Sequence, residues 1–134
     1  MDMKKCQSLK AELEQQDEPQ CVPIARFFDG NDDLGSIGCN LDPHPGMPSF
    51  KRTLEGLLTR PGITGVWAQI SELDPGDDAW PFADTVVVAG NIAAKELRSL
   101  VKELQPDEVA PASEFILSPI LAEQGAPLSV IWWD

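Results

Sequence analysis

Asp29, Asn31 and Asp33 alternate along one loop, a spacing at which carboxylate and amide oxygens can wrap a hard cation. A calcium loop of that kind needs a glycine directly after the third ligand and an acid at the twelfth position. Leu34 and Asn40 stand there instead. The flanks read as strands, so the preferred reading is a turn whose Asp and Asn side chains cap their own backbone. Asp74, Asp77, Asp78 and Asp84 form a second acidic set, and paired carboxylates can act as general acid and base. That work requires a cleft and a partly buried acid, and the sequence signals neither. The only histidine, His44, lies between Pro43 and Pro45, with no Ser or Cys nucleophile elbow beside it. Gly30, Gly35 and Gly38 depart from the dinucleotide-binding spacing, and the acids around them would repel a phosphate. These residues point to binding rather than catalysis: no catalytic residue, metal-ligand set or cofactor is assigned.

What they could bind follows from charge. The chain of 134 residues has 22 acids and 10 bases, a formal net charge of −12. Such an imbalance repels nucleic acid and anionic membrane surfaces; it either simply keeps a cytosolic protein soluble or suits a basic protein partner, whose approach it would steer. Both acidic loops, Asp29–Asp33 and Glu72–Asp84, contain no Lys or Arg, and the second carries the aromatic wedge Trp80-Pro81-Phe82. Asp29, Asp32, Asp33, Asp74, Asp77, Asp78 and Trp80 are the expected partner contacts, Trp80 with the alternative role of anchoring its loop to the core. Cys6, Cys21 and Cys39 are odd in number and form no Cys-x-x-Cys pair. They read as reduced thiols of a cytoplasmic protein, with Cys39 as a small core residue. The start of the chain lacks an apolar signal region, and no apolar run approaches the length that spans a bilayer.

The elements that must hold these loops can be read from periodicity. Residues 3–17 have helical composition with a thin apolar stripe, Cys6, Leu9 and Leu13, which suits a helix lying on the surface of the domain. Residues 21–28 and 36–41 read as strands, forming a hairpin around the first acidic loop. Phe50, Leu54, Leu57 and Leu58 mark a helix entered at Pro48. Residues 63–73 read as a half-buried strand, and Thr85–Ala89 as a central strand covered on both faces. Leu97, Leu100, Val101 and Leu104 mark a helix over 93–104. The proline-bearing stretch 105–127 shows little periodicity, with one short packing segment from Phe115 to Leu121. Residues 128–133 read as a final strand, with Trp132 and Trp133 on opposite faces. Together these predict one α+β domain over 1–134: a mainly antiparallel sheet of four to five strands, two main helices on one face, and an additional N-terminal helix over 1–18.

The runs Phe28–Leu41, Trp80–Val86 and Pro106–Val109 together resemble a group of small uncharacterised bacterial proteins, over roughly residues 22–110. In size, acidity and lack of catalytic residues the chain resembles the immunity proteins of bacterial toxin systems. That likeness implies a cytoplasmic inhibitor that occupies a cognate toxin domain, and it carries no site residues with it. Two other readings stand beside it. One is a small ligand- or metal-binding domain or enzyme built on the Asp29/Asn31/Asp33 loop. The other is a homodimeric structural protein joined through the C-terminal strand and Trp132 or Trp133.

Overall fold

Val86, Val87, Val88 and Ala89 are all fully buried, although successive side chains of a strand point to opposite sides. Their strand must therefore be covered twice. A computed structural model, which describes residues 1–134, shows how. Five strands, β1 (Cys21–Pro23), β2 (Ile63–Glu72), β3 (Phe82–Gly90), β4 (Glu108–Pro111) and β5 (Leu128–Trp132), form one antiparallel sheet in the order β1-β2-β3-β5-β4. The doubly apolar β3 lies at its centre.

The inner face of the sheet packs under four helices: α1 (Met3–Leu13), α2 (Ile24–Phe28), α3 (Met47–Gly56) and α4 (Ala94–Leu100). Val66, Ala68 and Ile70 of β2, Val86 and Val88 of β3 and Ile131 of β5 meet Leu9, Phe27, Phe50, Leu54 and Leu97 in one apolar cluster of 26 buried residues. The outer face has a thinner cover. Val87 and Val130 pack there against Cys21 and Leu121, and a single segment, 112–122 with the short helix α5 (Pro119–Ala122), lies over them.

The α+β class, the antiparallel sheet and the N-terminal helix match the sequence reading, and four local expectations are corrected. Helix α1 ends at Leu13, and its thin stripe is the opposite of superficial: Cys6, Leu9 and Leu13 are 0–1% exposed. Residues 21–28 are not one strand. Pro23, with φ near −52°, closes β1 and opens α2, where Ile24, Phe27 and Phe28 bury one helical face at i, i+3 and i+4. Residues 36–41 form no strand; a lone parallel bridge joins Ile37 to Ala83. Gly38 turns the chain there with φ +62°, and a Cβ on it would press on the Phe50 ring. Finally, α3 tightens into a 3₁₀ turn over Leu57–Thr59, which leaves Leu58 43% exposed. The sequence also concealed β4, four residues long and ended by Pro111.

Because α1 contributes to the main core, it is integral to the domain. Leu9→Ala should cost about 2–5 kcal/mol, the range for truncating a fully buried leucine. Urea unfolding followed by tryptophan fluorescence measures it; a loss under about 0.5 kcal/mol, the scale of a surface change, would show α1 to be peripheral.

Candidate functional site

The two acidic loops meet through one side chain. Asp33 caps a 3₁₀ turn (Leu34–Ser36) by accepting the Gly35 N–H at 2.9 Å, and its other oxygen accepts the Trp80 N–H at 3.0 Å. Asn31 is buried and turned inward: its amide donates to Phe27 O and Ser36 Oγ, and its Oδ1 accepts the Asp33 N–H. Trp80 is 0% exposed, and its indole Nε1 has no hydrogen-bond partner. The Trp80 ring is therefore withdrawn from the contact set. It anchors the second loop in the core, the alternative role read from the sequence.

The remaining acids of the first loop are answered from within the chain. Lys5 of α1 reaches Asp29 at 2.6 Å, and the Met1 ammonium lies 3.0 Å from Asp32. In the second loop, Lys10 bridges Asp74 at 2.9 Å and donates to the Gly76 carbonyl. Only Asp77 and Asp78, among the seven residues singled out, are exposed with no hydrogen bond or ion pair. Asn31 and Asp33 spend their side-chain oxygens on these internal bonds, Asp29 engages one of its two, and no group of three or more His, Cys, Asp or Glu side chains gathers at a point. His44 is equally occupied. Its Nδ1 accepts the Gly46 N–H at 2.8 Å, so Nε2 carries the proton and donates to the Ile37 carbonyl at 2.8 Å. Cys39, expected in the core, is exposed, whereas burial pushes the thiols of Cys6 and Cys21 up.

The face that remains unanswered lies on the other side of the sheet. All ten Lys and Arg belong to the helices and the turns that follow them. Residues 1–60 and 95–102 carry 11 acids against 10 bases; residues 61–94 and 103–134 carry 11 acids and no base. The outer face draws its residues from those base-free segments and from residues 16–23, and the same segments also supply inner-core side chains such as Val66, Val86 and Ile131. Its apolar side chains are incompletely covered: Trp67, Phe115, Leu117, Leu128 and Trp132 are half-buried, and Ile116 and Ile120 are 84% and 45% exposed. Gly65 keeps the Trp67 ring flat on this face, because a Cβ there would overlap the ring. Trp133, by contrast, is core, packed on Phe50 and donating its Nε1–H to the Leu104 carbonyl at 2.8 Å.

A groove of about 520 Å³ runs along the outer face beside Ile116. Gln69 and Thr85, cross-strand neighbours on β2 and β3, line it together with Glu18, Leu73 and Asp84. Gln69 also fastens the covering segment. Its Nε2 donates to the Ile116 carbonyl at 3.0 Å, and its Oε1 accepts the Ser118 N–H at 2.9 Å. Sequence reading missed this surface, since the run Phe115–Leu121 is apolar enough to read wholly as core. On the helical side, Lys95, Arg98 and Lys102 line a depression of about 450 Å³ without an acid among its lining residues.

Two measurements follow from the loops. Asp33→Ala removes both acceptors and leaves the Trp80 N–H unpaired, which should cost about 1–3 kcal/mol in chemical denaturation; an unchanged midpoint would mean that the loops do not depend on this link. The hydrogen bond from Lys5 holds the Asp29 carboxyl below its ordinary range, and the same bond raises the Lys5 ammonium. A lowered carboxyl stabilises above its unfolded value and loses that contribution as pH falls through the folded one. A raised ammonium stabilises below its unfolded value and loses it as pH rises through the folded one. Stability should therefore decline at both ends of that window, and Asp29→Asn should flatten the acid limb slightly, because the pair is exposed and screened by salt. An acid limb identical to that of the parent would show that the pair contributes nothing.

No helix is long and apolar enough to cross a membrane. The chain is 26% identical over 103 residues to the uncharacterized protein YfbO of Escherichia coli (strain K12), a match that covers 75% of this chain and 72% of that protein. No solved structure matches it. The family model described as the uncharacterized protein YfbO family matches residues 4–130, from within α1 to within β5. With the match spanning every element of the fold, the chain belongs to the YfbO family.

Proposed function

We propose that this protein is an acidic binding module for a basic protein, and that the outer face of the sheet makes the contact. The observation that carries the reading is the separation of charge along the chain: residues 1–60 and 95–102 are close to neutral, and residues 61–94 and 103–134, which supply four of the five strands and the outer cover, hold 11 acids without a base. Incompletely covered aromatic and aliphatic side chains lie on the outer face, where Glu18 and Asp84 line the groove, the combination of apolar anchor and polar rim that protein interfaces use. The paired acids Asp29, Asp32 and Asp74 contribute long-range field, while Asp77 and Asp78 at the end of the sheet are free to touch the partner.

The specific form of the reading is an immunity protein that covers the active site of a cognate toxin in the cytoplasm. A toxin that cuts nucleic acid is basic, and an acidic inhibitor offers it carboxylates where it expects phosphates. Tagged protein, used to capture partners from its native host at two salt concentrations, tests this. A single basic protein in equimolar amount, released as the screening length shrinks from about 10 Å at 0.1 M salt to about 3 Å at 1 M, is the expected result. The double variant Glu114→Lys/Glu123→Lys, on the outer cover, should weaken capture at least tenfold, about 1.4 kcal/mol. Glu14→Lys, beyond the end of α1, should leave it unchanged. The opposite pattern, loss with Glu14→Lys and none with the outer pair, would remove the outer face from the contact.

A further inference from the structure

Most acids of this protein sit in open solvent or beside a cation, and Asp84 does neither. It is half-buried at the rim of the outer groove, and no cation reaches it. One oxygen, Oδ1, accepts the Thr85 hydroxyl at 2.9 Å, which fixes the carboxylate and leaves Oδ2 directed to no protein donor. Glu18 supplies a second carboxylate to the same groove, again without a cation. A charge that arrives beside a partly buried carboxylate is screened less than one that arrives at the exposed Asp77 or Asp78.

The walls of the groove add a second requirement. Ile116 and Leu73 present aliphatic surface to it, and Ile116 is 84% exposed. Exposure of an isoleucine on a loose loop would carry little meaning. Here the backbone on either side of Leu117 is tied to Gln69, itself only 7% exposed, so the main chain that carries Ile116 is anchored at the lip of the groove before anything binds. Contact with it therefore incurs little further loss of main-chain freedom. A ligand that satisfies both features has an aliphatic stem and a positive head.

We infer that this groove receives one lysine or arginine side chain of the basic partner, its stem along Ile116 and Leu73 and its charged head between Glu18 and Asp84. Long cationic side chains combine these two surfaces in one group, whereas an anionic chain is repelled and a neutral aliphatic one leaves the carboxylates unmatched. The inference rests on the reading of the outer face as the docking surface and assigns that surface its specificity pocket.

The test uses the whole chain, labelled with ¹⁵N, and three blocked amino acids as probes: the N-acetyl amides of arginine, lysine and norleucine. A single side chain binds weakly, with Kd on the order of millimolar, so the readout is chemical shift. Saturable shifts at the Gln69 side-chain amide and the Ile116, Ser118 and Thr85 backbone amides are expected with arginine or lysine, and none with norleucine. The isosteric Asp84→Asn and Glu18→Gln should each weaken binding about fivefold or more, and Ile116→Ala about threefold. The control Glu14→Gln, at an exposed acid that does not line the groove, should match the parent. Shifts that never saturate, that spread over all acidic loops, or that survive Asp84→Asn unchanged would overturn the pocket. If a basic partner is still captured by the outer face while the groove amides stay silent, the pocket falls and the docking surface stands. If the groove amides respond and no basic partner is captured, the broader reading fails alone.

Discussion

A strand that is apolar on both faces is the constraint from which this architecture follows. β3 carries buried valines on alternate sides, and neither side can be left to water. On the inner side the solution is generous, with four helices and a large cluster of aromatic and aliphatic side chains. On the outer side it is minimal: one irregular segment with a four-residue helix, fastened by the amide of Gln69. The imbalance between the two covers decides where the surface is polar and closed, and where apolar side chains remain in reach of solvent.

Charge follows the same division. The helices carry every base, and two of those bases, Lys5 and Lys10 on α1, are spent on the acidic loops at the end of the sheet. The loops that look most like an interface in isolation are thus largely engaged by their own chain, joined to one another through Asp33 and rooted by Trp80. The outer face carries partly covered hydrophobic groups, and the acids that line its groove, Glu18 and Asp84, have no ion-pair partner. Under the reading proposed above, partly covered apolar groups beside such carboxylates suit a partner that is cationic and partly apolar.

Periodicity disclosed much of the framework. The leucine and phenylalanine spacing of α3 and α4, the branched runs of β2 and β3 and the terminal strand β5 all lie where the sequence places them, because each buries a regular stripe against the core. The failures are equally physical. In residues 21–28 an apolar run is compatible with period 2 and period 3.6 alike, and only the position of Pro23 decides between them. β4 is too short to show a period. At the candidate site, the acids were visible and their partners were not: Lys5 lies 24 residues from Asp29, and Lys10 lies 64 from Asp74. Ile116 escaped notice because exposure is a tertiary property, and nothing in Phe115–Leu121 distinguishes the residues turned outward, Ile116 and Ile120, from half-buried Phe115 and Leu117 or buried Leu121.

The confinement of bases to one layer has a consequence for how the molecule moves before it touches anything. With the bases in the helices and the turns after them, Lys95, Arg98 and Lys102 gathered in one depression, and 11 acids in segments without a base, the charge is unevenly distributed, and such a distribution has an electric dipole. In the field of a cationic body such a dipole experiences a torque as well as a pull. Rotational diffusion is thereby biased, and the more acidic side turns forward while the two bodies are still separated by water; under the proposed reading that side is the outer face. Random docking wastes most collisions on wrong orientations. A protein polarised in this way aligns during the approach, so that a larger share of first encounters presents the sheet rather than the helices.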